Sequence, residues 1–179
     1  MVGATKDEMM RSLSAMNLQY DEFRVWFPDA GAKRFRITLE VKQPHQLIHL
    51  ARLVAQIDYD PRHLNAASLW IRAWGMWNPL VEAISLKTFE QLRRSYGENR
   101  SLELAPGTYF RHDEFVEAVC CLLQPILVGW DACYVPTWTY GHLDFFVFVS
   151  HDSYIEVQAR TPEMSERVGK ALSSWIDPP

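Results

Sequence analysis

DACYVPTWTYGHLDFFVFVSHDSYIEVQA, residues 131–159, is the stretch whose reading decides the fold. Residues 131–136, 144–149 and 154–159 are short apolar runs bounded by turn-forming residues, the pattern of buried strands. With a loop over 137–142 and a turn at His151-Asp152, the three strands are consecutive, which predicts antiparallel pairing. Thr161-Pro162 follows directly: threonine can cap a helix and proline suits its first turn. Met164, Val168, Ala171, Leu172 and Trp175 then fall within about 80° on that helix, against a charged far face.

Upstream, helices interrupt strands. Residues 6–17 predict a short helix, with Met9, Leu13 and Met16 spaced by four and three. Residues 33–41 alternate, placing Phe35, Ile37, Leu39 and Val41 on one face and Arg34, Arg36, Thr38 and Glu40 on the other. This is a half-buried strand, expected to form a hairpin with residues 23–27 across a turn at 29–31. Pro44 opens a helix with Leu47, Leu50, Ala51, Val54 and Ile57 on one side and His45, His49, Arg52 and Gln56 opposite. Residues 67–77 read as containing a strand, with a helix as the alternative. Asn78-Pro79 starts a helix that continues over 85–96, with Phe89, Leu92 and Tyr96 on one face and Gly97 as its stop. Residues 101–110 are expected to form a short strand with a Pro106-Gly107 turn inside it. Asp113 then caps a helix burying Val116, Val119, Cys120 and Leu123, with Pro125 near its end. Without repeats or linkers, residues 1–179 are expected to form one α+β domain. Its antiparallel or mixed sheet would carry helices on one face and end in C-terminal hairpins followed by a helix.

Composition narrows the function. A chain of 179 residues that is 48% hydrophobic and 22% charged fits one globular domain and excludes a disordered or collagen-like class. The net charge of −4 argues against a general nucleic-acid or anionic-membrane binder. Charged residues interrupt positions 1–22, so no signal peptide is read there, and no apolar run approaches the ~20 residues of a membrane span. Cys120, Cys121 and Cys133 make a poor disulfide framework and fit a reducing compartment, so a cytoplasmic protein is expected. Charge is uneven: residues 1–111 carry a net +3 and residues 112–179 a net −7. An acidic C-terminal region of this kind suits a protein partner of basic character.

Candidate chemistry is sparse. His45 and His49 have the i, i+4 spacing of a zinc helix, but Gln46 stands where a general-base glutamate is needed, and both fall on the polar stripe. His112-Asp113, His142 with Asp144, and His151-Asp152 pair imidazoles with carboxylates, as metal or acid/base sites do. Of these, His142, Asp144, His151 and Asp152 flank one predicted hairpin and are the candidate set. Cys133 shares a strand face with Val135 and reads as a buried small hydrophobe rather than a nucleophile. No phosphate loop, dinucleotide fingerprint or nucleophile elbow occurs, and no cofactor is expected. The chain is rich in tryptophan, with Trp70, Trp74 and Trp77 within eight positions. If residues 67–77 form a strand, Trp70, Arg72 and Trp74 share one face. Trp138 and Tyr140, in the loop over 137–142, are aromatic residues that core packing does not readily explain and are candidate contact residues.

The block from Trp130 to Pro136, then Asp144 to Asp152, then Ser153 to Val157 and Arg160-Thr161-Pro162, resembles one found in small uncharacterised bacterial proteins. Some of these are similar to immunity proteins of polymorphic toxin systems. The resemblance spans about the last 50 residues; its motifs are structural, and it implies a cytosolic binding protein with no catalytic residues to carry over. The leading expectation is therefore a non-catalytic, immunity-like protein-binding domain. The alternatives are a metal-dependent or acid/base hydrolase built on the candidate His and Asp residues, and a small-ligand-binding regulatory domain with a tryptophan-lined pocket.

Overall fold

The computed structural model describes residues 1–22, 24–29, 31–40, 42–57, 67–74, 79–136 and 143–177; the side chains of 79–82 lie outside that description. The chain begins β1 (Val2–Ala4), α1 (Lys6–Ala15), β2 (Gln19–Tyr20), β3 (Val25–Trp26) and β4 (Lys33–Thr38). It continues α2 (Pro44–Gln56), β5 (Ala67–Ala73), α3 (Pro79–Ser95), β6 (Gly107–Phe110) and α4 (Phe115–Val128). It closes with β7 (Asp131–Val135), β8 (Phe145–Ser150), β9 (Tyr154–Ala159) and α5 (Pro162–Ala171). Seven strands form one sheet in the order β1-β6-β5-β7-β8-β9-β4, antiparallel at every pairing, and β2-β3 form a separate two-stranded sheet. The α+β expectation holds, and β7, β8 and β9 pair as consecutive neighbours.

Alternation divides the sheet into two faces. Ile37, Leu69, Ile71, Tyr134, Val147 and Val157 point to a core completed by α2, α3, α4 and α5. Trp70, Cys133, Val135, Phe146 and Phe148 point the other way, where α1 and the β2-β3 hairpin cover them with Met9, Leu13, Val25 and Phe27. Helix starts follow local chemistry. Thr5 and Glu8 form a capping box on α1, and Thr161 Oγ1 accepts from Met164 N at 3.2 Å on α5. Among the described residues no helix is long and apolar enough to cross a membrane.

Four local expectations are corrected. β4 does not form a hairpin with residues 23–27: β3 pairs with β2, and β4 pairs with β9. The local closure wins because Asp21 makes its own turn, with Arg24 N donating to Asp21 Oδ1 at 2.9 Å and Asp21 N to Arg24 O at 3.0 Å. Gln158 on β9 then holds β3 over the sheet, accepting from Phe27 N at 3.1 Å. On α4 the buried face is Ala118, Cys121, Leu122 and Ile126, while Val116 is 67% exposed and Cys120 is exposed. That helix is apolar almost all round, so two stripes satisfy the helical period and packing against α2 selects one. Asp113 does not cap it either. Glu114 holds the cap position without a side-chain cap bond, and Asp113 pairs with Arg111 at 3.3 Å. The strand expected within 101–110 is confined to β6, with residues 102–104 in a turn before it.

The outer edge of β4 is closed by the segment after α5. Asp177 N donates to Arg36 O at 2.8 Å, and the Asp177 carboxylate accepts from Thr38 N and Oγ1 at 3.1 and 2.7 Å. This satisfies strand groups that would otherwise be open to another chain.

Candidate functional site

β5 builds the site. Ile71 lies opposite Ala132 and Ala73 opposite Asp131, so Arg72 is the extra residue of a β-bulge. The bulge breaks the alternation that would put Trp70, Arg72 and Trp74 on one face. Trp70 packs beneath α1 and β2, whereas Trp74 packs against the core on the helical face. Arg72 is left at the sheet end between them. Its guanidinium carbon lies 5.3 Å from the Trp70 ring centroid and 5.8 Å from that of Phe148. Nη2 donates to the backbone carbonyl of Asp21.

That inventory leaves Arg72 short of partners. The guanidinium makes no ion pair, and Nη1 is buried without a hydrogen-bond acceptor among the described residues. Burial pulls its pKa below the ordinary arginine value, opposed by its neighbours Cys133, Asp131 and Asp21. A guanidinium in this position is costly unless something completes it. Beside it opens a cavity of about 640 Å³. Tyr20 and Trp74, both partly exposed, join Met10 of α1 in its apolar lining, and Pro106 closes the side next to Ile71. Tyr20 stands edge-on to Trp70, with ring centroids 6.1 Å apart. The charged lining is Lys6 with Arg72, facing Asp21, Glu22 and Glu103.

A second feature lies at the same end of the sheet. Asp131, 5% exposed at the start of β7, accepts from His151 N at 2.7 Å and lies 2.8 Å from His151 Nδ1. His151 Nε2 is 3.5 Å from the Asp152 carboxylate, and Asp152 N donates to Ser150 Oγ at 3.2 Å. His151 and Asp152 are thus brought together, with Asp131 as a partner that sequence reasoning missed. Asp144 is not with them. It precedes β8 while they follow it, and six strand residues span about 20 Å. Asp144 lines a separate groove near Arg160, whose backbone N donates to Asp144 O at 2.7 Å. Trp138, Tyr140 and His142 lie outside the described residues. His45 and His49 are exposed on α2, and His49 sits against Trp175 with ring centroids 6.1 Å apart. Cys133 is 1% exposed, and burial pushes its thiol up to about 12, in keeping with a small hydrophobe rather than a nucleophile.

The signals that could have found the site were partly present. The shared face of Trp70 and Arg72 is visible in the sequence, but the bulge and the lack of an ion pair among the described residues are not. No protein-family model, curated protein or solved structure matches this chain.

Proposed function

We propose that this chain is a small-ligand-binding domain of regulatory type, and that its ligand presents an anionic group to Arg72. The observation that carries the reading is the half-buried Arg72 guanidinium, without an ion pair among the described residues and with Nη1 buried and lacking an acceptor, lining a cavity with aromatic walls. The cavity's size is in the range of small-molecule sites, and apolar walls with a few convergent polar groups are their usual make-up. A buried guanidinium nitrogen without an acceptor is costly, so its presence beside an open cavity favours a ligand-binding role over a structural one.

The test is a ligand-observed NMR screen of small anionic and neutral fragments against the native protein and Arg72→Met. Anionic fragments should bind the native protein and lose at least ten-fold in affinity in the variant. Equal binding to both proteins would refute the reading. The acid/base alternative has the Asp131–His151 contact in its favour, but both ring nitrogens of His151 face carboxylates, which suits a tether between β7 and the β8–β9 turn. A docking role for the acidic C-terminal region would use Trp138 and Tyr140, for which no geometry is described.

A further inference from the structure

The charge layout of the Arg72 cavity narrows the ligand further, and this step rests on the ligand-binding reading above. A simple anion would satisfy Arg72 but would also meet three carboxylates against two cations among the described lining residues. A simple cation would suit the carboxylates and leave Arg72 as it is. Glu22 and Glu103, like Lys6, make no hydrogen bond or ion pair with any other described residue, so their charges are available to an occupant. They also lie on separate segments: Glu22 follows β2, and Glu103 belongs to the turn before β6. Carboxylates therefore reach the cavity from two parts of the chain, while the guanidinium comes from the sheet end.

We infer that the cavity takes a small zwitterion, an α-amino acid or short peptide with an apolar side chain. Its carboxylate faces Arg72, its ammonium group faces Glu103 and Glu22, and its side chain lies against Tyr20 and Trp74. Charge-assisted hydrogen bonds at both ends fix the orientation, and the aromatic walls remove the apolar group from water. Each charged end leaves an unmatched group in the site when absent, so analogues lacking one end should be discriminated against.

The experiment uses the full chain labelled with 5-fluorotryptophan, with the Trp74 resonance assigned through Trp74→Phe. The probes are L-phenylalanine and L-leucine, each beside its decarboxylated amine and its deaminated acid. At least one amino acid should shift the Trp74 resonance saturably, with both one-charge analogues at least ten-fold weaker. In Glu103→Gln the amino acid should weaken and the deaminated acid should gain. Deaminated acids that bind as tightly as the amino acids would overturn the zwitterion and leave the anion site standing. If neither amino acid binds although anionic fragments do, the zwitterion is likewise overturned. If neither amino acids nor fragments bind, the ligand-binding reading fails with it.

Discussion

The two faces of the sheet are built to different rules. On the helical face, four helices cover aliphatic and aromatic side chains; Leu50, Val54, Leu122 and Val168 are inaccessible to solvent. On the other face, a single helix and a two-stranded hairpin cover the sheet, and a half-buried guanidinium lies beside a cavity. Dense apolar packing stabilises without needing partners, whereas the Arg72 side carries a charge with no ion pair among the described residues. One face holds the domain together; the other carries the cavity proposed above as a ligand site.

The largest effect should come from the helical face. Leu50→Ala leaves a cavity under α2 and should lower unfolding free energy by about 2–5 kcal/mol in a urea titration. A loss under about 1 kcal/mol would mean that this face is not the main source of stability. On the opposite face, Gly107 on β6 has no room for a side chain: a Cβ would stand 2.4 Å from Met9 Cγ and 3.0 Å from Ala4 Cβ. Gly107→Ala should cost about 1–3 kcal/mol and displace α1, weakening whatever the cavity binds.

An intermediate effect is expected at Glu98, beside β1. Side-chain hydrogen bonds from Arg100 hold its carboxyl at about 2, against 4.5 unperturbed, with Arg100 Nη2 2.6 Å from Oε2. A depressed carboxyl contributes stability above its unfolded value, and that contribution is lost as pH falls from about 4.5 towards 2. Because Arg100 is 43% exposed, solvent screens the pair, and about 1–2 kcal/mol is the expected size. Glu98→Gln should flatten acid unfolding in that window; an unchanged pH profile would assign the acid sensitivity elsewhere. The smallest stability effect should be at the site itself. Arg72→Met removes a half-buried charge with few partners among the described residues and should leave stability within about 1 kcal/mol of native, or raise it, while weakening anion binding at least ten-fold. A loss above 3 kcal/mol would make Arg72 a structural residue and erase the contrast between the faces.

Most of the fold was legible in the sequence where the signal was local. The runs in residues 131–159, the Thr161-Pro162 start of α5, the Pro44 start of α2 and its Leu47, Leu50, Ala51 and Val54 stripe all form as read. Strand alternation also placed Cys133 and Val135 together on one face. The misses share a cause. On α4, two apolar stripes had equal local merit, and for β4 two partners did; contacts distant in sequence chose between them. Of the candidate residues, His151 and Asp152 meet beside Asp131, but no pattern within residues 131–159 shows that Asp131 reaches His151 across the sheet.

The sequence by itself determined the fold class, the positions of most helices and strands, and the face on which strand residues fall outside the β5 bulge. These follow from periodicity and capping, which act within a few residues. Only the tertiary structure decided that Arg72 sits in a bulge, without an ion pair among the described residues and beside a cavity. Register between β5 and β7 and the path of β2 over the sheet set those properties. Both depend on pairing energies summed over residues far apart in the chain, which no local pattern records.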